Sequence, residues 1–77
     1  MGIQFDPSQL ATVSPIPTDY EIGDEVIFTN EFGVVFDEGF RVIGFSKKED
    51  VFNGRFIHLD TDAPWFPARP EMLTKKH

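Results

Sequence analysis

Apolar positions in this chain recur every second residue in short runs, and clusters of glycine, proline, asparagine and acidic residues separate the runs. Period-two alternation bounded by turn formers is the mark of β-strands. In "EIGDEVIFTN" a Gly-Asp turn precedes alternation that sets Val26 and Phe28 on one face and Ile27 and Thr29 on the other. "EFGVVFDEG" reads as a long loop or loose hairpin that contains Gly33 and ends in the turn Asp37-Glu38-Gly39. "FRVIGFS" is strongly β, and Gly44 at its centre predicts a bulge or tight bend. "KKEDVFNG" closes a hairpin through Asn53-Gly54, a pair that tolerates positive φ, and "RFIHLDT" is the return strand.

Pro64, Pro67 and Pro70 exclude a helix or a central strand from "DAPWFPARPEMLTKK" and leave a short edge strand at Trp65 to Ala68. Pro70 is placed to open one turn of 3₁₀ helix with Met72 and Leu73 turned inward, before a last short strand ending at the lysines. Residues 1 to about 19 carry three prolines and no periodicity, which predicts an extended or disordered arm. Within it only "DPSQLATV", capped by Asp6, has helical character. The expectation is therefore all-β: an arm over 1–19 and one domain over 20–77, a small five-stranded barrel with a 3₁₀ turn before its last strand. Val26, Phe28, Val42, Ile57, Leu59 and Leu73 are its predicted core.

Composition narrows the class of protein. A chain of 77 residues buries about two-thirds of its unfolded surface, so stability rests on a compact core, here supplied by nine Phe, one Tyr and one Trp. The absence of cysteine removes disulfides, thiolate metal sites and thiol nucleophiles, and suits a reducing cytoplasm. No basic flank with an apolar run opens the chain, and no apolar stretch is long enough for a membrane helix, so a cytoplasmic protein with no membrane contact is expected. Charge is divided. Residues 1–40 hold eight acids and no Lys or Arg, whereas residues 41–77 hold seven cations and five acids, and the balances of −8 and +2 sum to −6. Phosphate backbones are bound by cations, so direct nucleic-acid binding is not expected.

The order of elements, with "GDEV" opening the first strand, "GFRVIGF", an Asn-Gly hairpin, an aromatic-proline fourth strand and "PEML" before the fifth, resembles an SH3-like barrel over about residues 20–76. "GDEV", "VIGF" and "FPARPEML" are also similar in layout to the plasmid-borne, trimethoprim-insensitive dihydrofolate reductases, small barrels with a disordered arm that assemble as tetramers. That family uses the glutamine, isoleucine and tyrosine of Val-Gln-Ile-Tyr-Pro for cofactor and folate. Pro64, Trp65 and Phe66 stand at those positions here, so the glutamine amide has no counterpart.

Candidate chemistry is sparse. Alternation puts His58 on a solvated face with Phe56 and Asp60, and Asp60 and Asp62 add oxygens without a converging ligand set. Ser8, Ser14 and Ser46 have no base nearby in sequence, and the glycines do not gather into a phosphate loop. No catalytic residue, metal or cofactor is expected. The aromatic surplus carries more. In "FRVIGF" Phe40 and Val42 face one side and Ile43 and Phe45 the other, and a small barrel fills its lumen from one face only. The second face calls for cover, first from the loop with Phe32, Val34, Val35 and Phe36, otherwise from the arm with Phe5 and Leu10, or from another subunit in a homo-oligomer. Trp65 and Phe66 should point to opposite sides of their strand, one into the core.

A groove between the first loop and the 3₁₀ turn could be built from Tyr20, Phe32, Trp65 and Pro70, with Glu31, Asp37 and Glu38 favouring a basic or proline-containing protein partner. The leading functional expectation is a non-enzymatic interaction or accessory module. An acidic inhibitor that imitates nucleic-acid charge and a reductase-like enzyme are the alternatives.

Overall fold

The computed structural model describes residues 7–61 and 63–76, so Phe5, Asp6, Asp62 and His77 fall outside the described residues. The chain is all-β, with strands β1 (Glu25–Thr29), β2 (Val35–Phe45), β3 (Ile57–Leu59) and β4 (Leu73–Lys75) in one antiparallel sheet of spatial order β3, β2, β1, β4. Three 3₁₀ turns punctuate it, η1 (Pro7–Gln9), η2 (Lys48–Asp50) and η3 (Pro70–Met72).

Of the two readings of this segment, loop or hairpin, the hairpin forms, as a tight turn followed by the first half of β2. Asn30 Oδ1 accepts from the backbone N–H of Phe32 and of Val34, both at 2.9 Å, which closes the chain so quickly that pairing resumes at Thr29 with Val35. The segment Asp37-Glu38-Gly39, expected to end the loop, is instead a bulge inside β2. Val26 pairs with Phe40 and Phe28 with Phe36, so Asp37, Glu38 and Gly39 of β2 stand against Ile27 alone on β1, and Gly39 takes the left-handed conformation at φ 84° that the bulge requires. A second bulge lies at the predicted Gly44, between the pairs Val42 with Leu59 and Gly44 with His58. It breaks the alternation, so Val42 and Phe45 both enter the core, contrary to the opposite faces expected for them.

Asn53 (φ 51°) and Gly54 (φ 73°) form the predicted tight hairpin turn, closed by Arg55 N–H to Phe52 O at 2.8 Å. Among the described residues four strands are formed rather than five. The expected edge strand at Trp65 to Ala68 is reduced to one bridge, in which Ala68 and Ile57 exchange both hydrogen bonds, at 2.7 and 3.2 Å. Pro64, Pro67 and Pro70 have no N–H to extend the ladder. Trp65 and Phe66 occupy a turn closed by Phe66 N–H to Ala63 O, where alternation has no meaning, and both rings lie at the surface, 40% and 53% exposed.

Val26, Val42, Phe45, Phe56, Ile57, Leu59, Ala68 and Leu73 form the core, with Phe28 half-buried against it. η3 turns Met72 and Leu73 inward as the sequence predicts. Phe45 is covered by the N-terminal segment rather than by the first loop, whose Phe32, Val34 and Val35 are exposed. Ala11 pairs with Phe45 through two hydrogen bonds of 2.8 and 3.0 Å, and Leu10 packs on Gly44. The described part of the segment read as an extended or disordered arm, and as one possible cover, pairs with β2 at Ala11, because Phe45 keeps free backbone groups at the bulged end of its strand. Among the described residues no helix is long and apolar enough to cross a membrane.

Candidate functional site

Two cavities meet the Phe52–Phe66 edge-to-face pair, whose ring centroids are 6.1 Å apart, Phe66 lining one and Phe52 the other. The larger, a cleft of about 500 Å³, has Phe28, Phe36 and Phe40 along one wall. The cross-strand pairing of β1 with β2 aligns them, with centroids 5.7 Å apart for Phe28–Phe36 and 6.4 Å for Phe36–Phe40. Phe66, Pro67, Ala68 and Met72 form the facing wall. Arg55 is buried between the walls; its guanidinium lies 4.9 Å from the centre of the Phe66 ring, donates to Pro67 O at 3.2 Å and pairs with the carboxylate of Glu31. The cleft is lined by three carboxylates, of Glu31, Glu38 and Asp60, against this one guanidinium. Asp60 Oδ1 accepts from Arg41 N–H at 2.7 Å, and Glu38 is exposed beside the β2 bulge.

The groove residues expected from sequence are only partly brought together. Glu31, Phe32 and Glu38 line this cleft, and Phe32 stands at its edge 88% exposed. Asp37 is exposed on the bulge but does not line it. Tyr20 is elsewhere, donating its hydroxyl to Leu73 O at 2.9 Å with Lys75 over its ring. Pro70 opens η3 and lines neither cavity. Trp65 belongs to the second cavity. The sequence reading missed Phe36 and Phe40 as cleft residues, since their common wall depends on a bulge that alternation does not disclose.

The second cavity, about 420 Å³, lies between the N-terminal segment and the turn at Trp65, and Gln9, Leu10, Phe45, Phe52, Trp65 and Pro67 are among its lining residues. Ser46 and His58 form its polar floor. His58 is not on a solvated face; it is 5% exposed, because Ser46 and the turn at Pro64 cover the outer side of β3. Its Nδ1 is 2.8 Å from Pro64 O and its Nε2 is 2.9 Å from Ser46 Oγ. A carbonyl oxygen only accepts, so Nδ1 carries a proton, and whenever the ring is neutral its Nε2 lone pair accepts from the Ser46 hydroxyl.

No protein-family model matches the chain, and neither do curated proteins nor solved structures.

Proposed function

We propose that this chain is a small SH3-like barrel that serves as an interaction module and takes a basic, proline-containing segment of a protein partner into the aromatic cleft. The observation that carries this reading is the cleft itself, with phenylalanine rings on both walls and more negative than positive charge. Proline rings pack well on aromatic faces and arrive in a preformed extended helix, so little ordering entropy opposes their binding. The carboxylates of Glu38 and Asp60 take part in none of the ion pairs formed among the described residues and favour a cation on the incoming chain. The barrel reading is supported by the bridge at Ala68, which extends the spatial order to Ala68, β3, β2, β1, β4 with η3 between the two edges.

Titration of the isotopically labelled protein with a short arginine-bearing proline-rich peptide tests the proposal. Amide shifts are expected at Phe36, Glu38, Phe66 and Ala68. Phe36→Ala should weaken binding about tenfold, whereas Trp65→Ala, at the other cavity, should leave it unchanged. Absence of shifts at millimolar peptide, or shifts confined to the second cavity, would overturn the reading.

A further inference from the structure

The second cavity holds a nucleophile, a base and an orienting group in sequence. We infer that Ser46 is an activated nucleophile, with His58 as its base, that accepts an acyl group from a small apolar carboxylic ester bound in this cavity.

Three features of the geometry carry the inference. The hydroxyl of Ser46 is within hydrogen-bond reach of His58 Nε2, 2.9 Å, the separation at which a base takes a proton during attack. Pro64 O, at 2.8 Å from Nδ1, fixes the tautomer that leaves Nε2 free of a proton and so able to receive one, the role an orienting group plays in nucleophile–base pairs. Both side chains are 5% exposed, yet both line a cavity of about 420 Å³, so the pair is shielded from bulk water and open to a ligand on one side. Leu10, Phe45, Phe52 and Trp65 make its wall apolar and sized for an aryl or short acyl ester. Lys47, next in the chain, is exposed and also lines the cavity.

The chemistry balances with water as the second reactant. Ser46 Oγ forms a bond to the ester carbonyl carbon as its proton passes to His58 Nε2. The carbon–oxygen bond to the leaving group then breaks, and that oxygen takes the proton from Nε2. Water attacks the acyl-serine in the same way, its proton moving through Nε2 to Ser46 Oγ, and releases the carboxylic acid.

A fluorophosphonate probe and p-nitrophenyl acetate, each incubated with the full chain and followed by intact mass and peptide mapping, test the inference. The modification should map to Ser46, in the tryptic peptide Val42–Lys47, whose one hydroxyl is that of Ser46. Ser46→Ala should abolish it. His58→Gln should slow it at least about a hundredfold, the scale of a lost general base. Circular dichroism of each variant establishes that it is folded, and Ser46→Thr, which keeps a hydroxyl, serves if Ser46→Ala is not. An unmodified Ser46 in the folded protein, modification equally fast in urea, or a rate indifferent to His58→Gln would each overturn the inference.

Discussion

Tyr20, the one tyrosine of the chain, shows how a single side chain reports on its surroundings. It packs against the core and its hydroxyl donates to Leu73 O, tying the residues before β1 to β4. Burial raises its pKa above the ordinary tyrosine value of about 10, and the charges of Asp19 and Asp24 raise it further. The folded protein thus keeps this proton at a pH where the unfolded chain has lost it. The stability Tyr20 contributes is fully present below about pH 10 and disappears as pH rises through the folded-state value. Tyrosinate absorbance should give a native midpoint above that of the urea-unfolded chain, and Tyr20→Phe should remove part of the alkaline loss of stability. Equal midpoints would contradict the assignment. At this scale much was legible in the sequence: Val26, Val42, Ile57, Leu59 and Leu73 alternate regularly or follow a turn with a fixed geometry, and all are buried. Phe28 is on the expected face but only half-buried, because it ends at the cleft.

Among the elements, β2 is where local pattern and fold part company. Its strand character, the glycine bulge at 44, the Asn53-Gly54 hairpin and the 3₁₀ turn at Pro70 are each dictated by residues that restrict their own backbone, and each could be read from the chain. The cover over Phe45 was legible only as one alternative among three, the arm with Leu10, since Leu10 and Ala11 act across more than thirty residues of sequence and carry no periodicity of their own. The Ser46–His58 bond was not legible, since it depends on the β2 bulge and on a turn held by Pro64 O. The docking of the N-terminal segment makes a specific prediction. A Cβ built on Gly44 would lie 2.7 Å from Leu10 Cβ and 2.9 Å from Leu10 Cδ1, far inside van der Waals contact. Gly44→Ala should therefore cost about 1 to 3 kcal/mol in urea unfolding. In a Leu10→Gly background the same substitution should cost almost nothing, giving a coupling of similar size. Additive effects would mean that the segment does not rest on Gly44 in solution.

Over the whole molecule, the charge division between the two halves of the sequence becomes a set of contacts. Arg55–Glu31, Lys75–Asp24 and Lys76–Glu25 each join a cation of the second half to an acid of the first. Pairing these leaves a net charge of −6 on a body of 33 × 28 × 23 Å. The screening length falls from about 30 Å at 0.01 M salt to about 8 Å at 0.15 M. At low salt a cationic peptide approaching the cleft is therefore attracted by the whole protein, whereas at physiological salt it responds only to carboxylates at the cleft itself. Glu38 lines the cleft and Asp50 the second cavity, so charge reversal at the two positions separates these regimes. Stopped-flow association of the proline-rich peptide should be slowed by Glu38→Lys at both salt concentrations, and by Asp50→Lys only at the lower one. Since the field steers encounter rather than holds the complex, dissociation rates should change little with Asp50→Lys at either. Equal slowing by both substitutions at 0.15 M would show that the peptide does not enter between Phe36 and Phe66, and would move its binding site away from the cleft.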